Sequence, residues 1–167
     1  EAEPHHADAL HYLGAIASGE GKHRDAAELI GRAIRLKPSH TMHYNLGNAL
    51  KALGDLGGAA ESYRHALALK PDYAEAHVNL GNVLQAQDKL GEAVVHYRSA
   101  LLSRPDLADT HVNLGNALRE LGKLDEAVES YRRALALNPN YAEAHNSLGL
   151  VFRAQGNFDE AADCYRK

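Results

Sequence analysis

The chain has few of the residues that small stable folds and metal sites usually depend on. Its 167 residues include no tryptophan, one cysteine and one methionine. The single thiol, Cys164, excludes an internal disulfide framework and a zinc site built from cysteines. No apolar run approaches the roughly 20 residues that a membrane-spanning helix needs, so we expect no membrane partner. The core must therefore be built from alanine, leucine and valine with scattered tyrosine.

The chain also lacks a basic excess. Its 18 basic and 22 acidic residues give a formal net charge of −4. Proteins that bind nucleic acid usually carry surplus positive charge, so we expect no nucleic-acid partner. No signal peptide is visible, and one free cysteine fits a reducing compartment, so we predict a cytoplasmic protein. Because the chain starts at Glu1 and stops within a repeat, we interpret it as a fragment or a processed form.

A six-residue segment, Asn-Leu-Gly-Asn-Ala-Leu, organises the sequence. It occupies residues 45–50 and 113–118, and a version with valine for alanine occupies residues 79–84. Its glycine recurs at Gly14, Gly47, Gly81, Gly115 and Gly149, with spacings of 33, 34, 34 and 34 residues. A fixed period of this length indicates a repeat architecture. We predict repeats at 7–39, 40–73, 74–107 and 108–141 and a truncated repeat at 142–167, with residues 1–6 as the end of a preceding repeat or a linker.

Each repeat is predicted to hold two helices. In the first, apolar residues recur at helical spacing, as in Leu80, Val83 and Leu84. An acid three residues after a short polar residue predicts capping boxes on these helices. The predicted caps are Asp72, Asp106 and Asn140. The second helices are predicted to start near Gly57, Gly91, Asp125 and Asp159. They should end before the next proline, which disfavours helix in the residue before it.

The repeated glycine lies inside the first helix, where it costs about 1 kcal/mol relative to alanine. That cost is reasonable only where another backbone approaches closely. We expect the glycines at 47, 81, 115 and 149 to face the alanines twelve residues later, which are Ala59, Ala93, Ala127 and Ala161.

These residues resemble the tetratricopeptide repeat family. In the third repeat the family's consensus places hold His77, Leu80, Gly81, Leu84, Ala93, Tyr97, Ala100 and Pro105. The chain departs from the family where histidine replaces the usual tryptophan, at His43, His77, His111 and His145. The resemblance implies an all-α fold, a right-handed α-solenoid (superhelix) of helix-turn-helix repeats of 34 residues. It also implies a concave groove lined by the first helices.

The candidate site is a row of asparagines on the groove side of the first helices. With the repeated glycine as the eighth position, they fill the sixth and ninth positions: Asn45, Asn48, Asn79, Asn82, Asn113 and Asn116. Asparagine inside a helix costs roughly 0.5 kcal/mol relative to alanine. Its amide both donates and accepts hydrogen bonds, which suits a peptide backbone. We therefore predict that the row binds an extended peptide.

An alternative remains open for these asparagines. Asparagine at the ninth position can bridge neighbouring helices without touching a ligand. The two interpretations differ in one respect. If ligand contact is the reason for the amides, alanine at Asn79 and Asn113 should leave stability unchanged or raise it.

We predict a non-enzymatic scaffold that binds a protein or peptide ligand and uses no metal or cofactor. Paired acids such as Asp125 and Glu126 suit the start of a helix, and the four repeated histidines are too far apart to share an ion. The carboxylate clamp of chaperone adaptors is excluded because Tyr44 and Asp109 stand where it needs cations.

Two further hypotheses concern the context of the chain. The asparagine row is similar to the repeat arrays of O-linked N-acetylglucosamine transferases. The alternative function is therefore substrate recognition for a larger bacterial glycosyltransferase. The truncated last repeat also exposes apolar surface, which predicts end-to-end or swapped self-association.

Overall fold

A computed structural model describes residues 4–167, and every regular element in that range is an α-helix. The ten helices of this range are α1 (Pro4–Gly19), α2 (His23–Leu36), α3 (His40–Ala52), α4 (Leu56–Leu69), α5 (Ala74–Ala86), α6 (Leu90–Ser103), α7 (Ala108–Glu120), α8 (Leu124–Leu137), α9 (Ala142–Ala154) and α10 (Phe158–Tyr165). This architecture confirms the predicted all-α repeat fold.

The helices form two compact units, one ending at Gln87 and the other starting at Asp88. In the first unit, α1 packs on α2 and α3 on α4, while α2 also contacts α3 and α4 contacts α5. In the second unit, α7 packs on α8 and α9 on α10, while α6 contacts α7 and α8 contacts α9. Within each unit, a hairpin therefore buries its apolar face against the next repeat, as expected for stacked helical repeats.

The second helices follow the sequence closely. They begin one residue before the predicted starts, at Leu56, Leu90, Leu124 and Phe158. Three of them end two residues before a proline, which confirms proline as the stop signal. At the other end of the chain α1 begins at Pro4, so residues 4–6, assigned above to a preceding segment or linker, are continuous with α1. Residues 1–3 of that predicted segment lie outside the described residues.

The predicted capping boxes are wrong. The residues preceding α5, α7 and α9 are Tyr73, Leu107 and Tyr141, and none of them caps its helix through a side chain. The predicted caps lie one residue too early to reach the free amides. Ser39 does cap α3, because its Oγ accepts a hydrogen bond from the Met42 amide at 3.2 Å.

Histidine side chains fasten these helices to the preceding turns instead. The Nε2 atoms of His77, His111 and His145 lie 3.0, 3.0 and 2.8 Å from the carbonyl oxygen of the proline six residues earlier. A ring N–H donates to that carbonyl, which ties the first turn of each helix to the turn before it but leaves the free helix amides uncapped. His43 follows the turn that is one residue shorter, and its ring lies 5.2 Å from that of His65.

The turn inside each hairpin contains one residue with positive φ at the fifteenth position of the repeat. Glycine fills it at Gly21, Gly54, Gly122 and Gly156, with φ between 74° and 82°. In the third repeat Asp88 takes the same conformation at φ 60°. The left-handed region favours glycine and tolerates aspartate, which explains this choice of residues.

The repeated glycine makes room for a tyrosine ring. A Cβ atom on Gly47, Gly115 or Gly149 would lie 2.5–2.6 Å from Cε1 of Tyr63, Tyr131 or Tyr165. The expectation that alanine twelve residues later is the close neighbour is therefore wrong at these three glycines. Those alanines are buried, but the tyrosine four residues further on fills the space.

Replacing Gly115 with alanine should lower the free energy of unfolding by about 1–3 kcal/mol, since the fully buried Tyr131 ring has no room to shift. Urea denaturation followed by circular dichroism would measure this change. Gly91→Ala in α6 is the matched control, because a Cβ there meets nothing within 4 Å. It should raise stability by about 0.5–1 kcal/mol. Equal effects of the two substitutions would contradict the proposed role of Gly115.

Candidate functional site

The six predicted asparagines lie on three first helices and are all half-buried. Asn45 and Asn48 belong to α3, Asn79 and Asn82 to α5, and Asn113 and Asn116 to α7. Half-buried amides on a helix surface can bond inward, outward or both. Their inward hydrogen bonds decide which polar groups are left for a ligand.

Asn48 is anchored through its carbonyl oxygen. The hydroxyl of Tyr63 donates to Asn48 Oδ1 at 2.7 Å, and Asn79 Nδ2 donates to the same oxygen at 3.0 Å. The first bond lies within the second repeat and the second joins it to the third. Both lone pairs of the Asn48 carbonyl are therefore used inside the protein.

Asn79 is bonded more completely than Asn48. Its second N–H donates to the Tyr44 hydroxyl at 3.1 Å, and its Oδ1 accepts from Lys51 Nζ at 3.4 Å. Both amide donors and one acceptor position therefore have partners within the protein. This arrangement is a bridge between neighbouring repeats, made here by the sixth position as well as the ninth.

Asn45 faces the first repeat. Its Nδ2 lies 2.8 Å from Nε2 of His11. An amide nitrogen can only donate, so the imidazole nitrogen accepts and the ring is neutral. Burial lowers the pKa of His11, with a smaller opposing effect from Asp8, which agrees with this assignment.

The second unit repeats part of this pattern. The Tyr131 hydroxyl donates to Asn116 Oδ1 at 2.7 Å, as Tyr63 does to Asn48. Burial raises the pKa of Tyr63 and of Tyr131, so both hydroxyls keep their protons and act as donors. At the sixth position of the fifth repeat the row ends in Ser147, which is buried and hydrogen-bonds Tyr131.

Two amide nitrogens of the row have no hydrogen-bond partner in the described part of the chain. Within the described residues Asn48 Nδ2 and Asn116 Nδ2 have no hydrogen-bond partner, and neither is among the buried unpaired atoms. Asn82 and Asn113 each have an interaction partner and are not free. Two cations follow one helical turn after the unpaired donors, Lys51 and Arg119.

The tyrosines that orient the asparagines were not predicted as part of the site. Tyr63 and Tyr131 follow Asn48 and Asn116 by fifteen residues, and this constant interval was the available signal. The sequence analysis assigned tyrosine only to the apolar core. It therefore did not predict that the ring of each tyrosine packs on the repeated glycine while its hydroxyl bonds the following asparagine.

A cavity of about 630 Å³ lies in the second unit away from the asparagines. Its lining includes Leu101, Leu114 and Leu118, and four of its charged residues form two ion pairs. Arg98 bonds Glu126, and Arg133 Nη2 lies 3.5 Å from Glu129 Oε1. It therefore presents an apolar floor with paired charges at its rim.

The described residues offer no setting for metal chemistry. They contain no group of three or more histidine, cysteine, aspartate or glutamate side chains placed to hold an ion. None of the described helices is long and apolar enough to span a bilayer.

Tandem helical hairpins with one repeated packing motif define an α-solenoid protein. The chain belongs to the tetratricopeptide repeat family. Models of the family described as "TPR repeat" and "Tetratricopeptide repeat" match residues 47–88, 74–107, 115–154 and 142–167. No curated protein sequence matches the chain significantly.

Solved structures share the fold. A crystal structure of MamA protein is 23% identical, with a TM-score of 0.92 over 96% of this chain and 88% of that one. MamA from Desulfovibrio magneticus RS-1 is 22% identical, with a TM-score of 0.90 over 96% and 91% of the two chains. YrrB, described as a TPR protein with an unusual peptide-binding site, is 19% identical, with a TM-score of 0.85 over 93% and 80%.

Replacing Asn79 with alanine should lower the free energy of unfolding by about 1–3 kcal/mol, because three hydrogen bonds between repeats are lost. Thermal or urea denaturation would measure the loss. Asn146→Ala is the control, because this asparagine is exposed on α9. It should change stability by less than about 0.5 kcal/mol. Unchanged or higher stability of Asn79→Ala would instead support the hypothesis that ligand contact alone explains this amide.

Proposed function

We propose that the chain is a protein-interaction scaffold that holds an extended peptide segment against its asparagine row. The observation that carries the proposal is the set of amide groups left unpaired after the inward bonds are made. Asn48 and Asn116 each commit the oxygen to a tyrosine and leave the nitrogen unbonded. A peptide backbone supplies a carbonyl acceptor at every residue, so it can bind such donors without regard to its side chains.

The recurrence of this arrangement supports binding along the chain of repeats. The same tyrosine–asparagine pair appears in the second and the fourth repeat, on α3 and α7. Each pair therefore offers a ligand the same unbonded amide nitrogen. Repeat proteins commonly use extended surfaces of this kind for binding.

The comparison with YrrB supports the same proposal. That protein is described by its peptide-binding site and shares the fold over most of both chains. The family fold therefore accommodates a peptide in at least one structural relative. In this chain we assign the contact to Asn45, Asn48 and Asn116 first, since Asn79 is bonded internally.

The alternative, substrate recognition for a larger glycosyltransferase, has no specific support among the described residues. It would place the same peptide-binding face beside a catalytic domain elsewhere in a parent protein. The sequence of that parent would decide between the two.

Panning a random-peptide phage library on the chain should select peptides that bind the asparagine face. Asn45→Ala should weaken a selected peptide by about two- to tenfold, as one lost hydrogen bond would. Fluorescence anisotropy would give the affinities, and amide chemical-shift mapping would locate the peptide on α3 or on α7.

Leu102→Ala is the control for this experiment. Its side chain is 87% exposed on α6, so the substitution should not change the affinity. A selected peptide that shifts only resonances of the cavity between α6 and α8 would contradict the proposal.

A second proposal concerns self-association. Phe158 and Tyr165 in α10 are 68% and 46% exposed, although the residues at the same positions of the second repeat, Leu56 and Tyr63, are half-buried and fully buried. We propose that this apolar surface on α10 pairs with another copy of the chain. Contiguous exposed apolar patches commonly mark interaction sites.

The sedimentation coefficient should rise with protein concentration, because association is driven by mass action. Phe158→Lys should abolish that rise, whereas Leu102→Lys, which adds the same charge at another exposed site, should not. A coefficient that stays constant over the full concentration range would contradict self-association.

A further inference from the structure

We propose that copies of the chain join end to end, with α10 of one copy packed against α1 of the next. This proposal rests on the self-association proposed for α10 and names the surface that α10 meets. Two exposed apolar faces, one on each of these helices, match the two halves of a contact that recurs inside the chain.

The first of these surfaces, the α1 face, consists of Ala9, Leu13 and Ile16. Leu13 and Ile16 are 53% and 59% exposed, and Ala9 is exposed as well. Successive members are four and three residues apart, so all three lie on one side of the helix. With the repeated glycine as the eighth position, they hold the third, seventh and tenth positions of the first repeat.

In later repeats these positions are covered by the second helix of the preceding repeat. On α3 they hold Met42, Leu46 and Ala49. Met42 clusters with Ile30 of α2, Leu46 packs against that cluster, and Ala49 clusters with Ala26 of α2. The seventh and tenth positions of α5, α7 and α9 are also buried, with Leu80, Val83, Leu114, Ala117, Leu148 and Val151. The α1 face is therefore one half of a joint between repeats.

The other half of such a joint is exposed on α10. This α10 face consists of Phe158, Ala162 and Tyr165, at the seventeenth, twenty-first and twenty-fourth positions of the fifth repeat. Ala162 is half-buried and the two aromatic residues are exposed. In the second to fourth repeats the twenty-first and twenty-fourth positions are buried, with Ala60, Tyr63, Val94, Tyr97, Val128 and Tyr131.

The tyrosine of a second helix faces the first helix that follows it. Tyr131 of α8 hydrogen-bonds Ser147 of α9, and α8 packs on α9. Tyr165 packs on Gly149 of its own hairpin and remains 46% exposed. Its exposed surface therefore corresponds to the part of Tyr131 that the following helix covers.

The sizes of the side chains also match those of the internal joints. In the second to fourth repeats the tyrosine at the twenty-fourth position is followed by a small residue at the third position of the next repeat. These pairs are Tyr63 with Ala76, Tyr97 with Thr110, and Tyr131 with Ala144. Tyr165 and Ala9 continue this combination of a large and a small residue, which suits close packing.

The proposed contact joins unlike faces of different copies. It therefore does not depend on how the two units of one copy are arranged. A pair joined by one such contact keeps one α1 face and one α10 face for further copies, as in other head-to-tail interfaces. Burial of the apolar side chains drives the association.

Leu13→Lys tests the α1 face, because it places a charge at the centre of that face. A charge without a partner is costly to bury, so the association constant should fall roughly tenfold or more. Sedimentation velocity over a concentration series would measure this loss. Ala15→Lys is the matched control, because it adds the same charge at an exposed residue of α1 outside the face, and it should associate as the wild type does. Ile16→Lys is the second variant if Leu13→Lys does not fold.

An equimolar mixture of Leu13→Lys and Phe158→Lys identifies the two surfaces that meet. The first variant keeps its α10 face and the second keeps its α1 face, so together they can form one native joint. Each variant alone should sediment as a monomer. The mixture should form a dimer and no larger species.

The outcomes separate this contact from self-association in general. If Leu13→Lys associates as strongly as the wild type, α10 meets a different surface, and the end-to-end contact is overturned while self-association stands. A mixture of the two variants that stays monomeric also overturns it. If the wild-type chain itself shows no association at any concentration, the self-association proposal fails and the end-to-end contact fails with it.

Discussion

In the second, fourth and fifth repeats the structure depends on one tyrosine, which packs against the glycine of the first helix. The ring occupies the space that a Cβ on Gly47, Gly115 or Gly149 would fill. Tyr63 and Tyr131 are fully buried, and their hydroxyls reach the asparagine one position after that glycine. One side chain therefore closes the hairpin and sets the polar surface of the helix it packs on. Packing and hydrogen bonding are coupled because the tyrosine contributes both an apolar ring and a polar end.

This coupling changes the meaning of the asparagine row. Helix propensity alone suggests that six unfavourable amides need a ligand to explain them. The hydrogen bonds of Asn79 give a different reason, because its amide joins Tyr44, Asn48 and Lys51 across two repeats. A buried or half-buried amide that satisfies its neighbours contributes to stability and fixes their geometry. Asn48 and Asn116 likewise bond inside the protein through their oxygens.

The fold was largely predictable and the site was predictable in part. The 34-residue period, the apolar spacing of Leu80, Val83 and Leu84, and the prolines gave the helices to within a few residues. The helix starts were less accurate, since Tyr73, Leu107 and Tyr141 precede first helices without capping them. In these three helices a histidine of the first helical turn bonds the carbonyl of the proline six residues earlier. That contact depends on how the chain folds between the two residues. The two-unit division at Gln87 and Asp88 has no counterpart in the regular repeat period.

The sequence by itself determined which residues share a helical face, because a period of 3.6 residues fixes that relation without reference to any neighbour. It determined the repeat, the helical hairpins, the family resemblance and the position of the asparagines on the first helices. Only the tertiary structure decided whether the oxygen or the nitrogen of an asparagine amide forms hydrogen bonds within the protein. That choice depends on a tyrosine fifteen residues away and on side chains of the adjacent repeat. Hydrogen bonds act over about 3 Å, so a local pattern cannot specify them until the chain has folded.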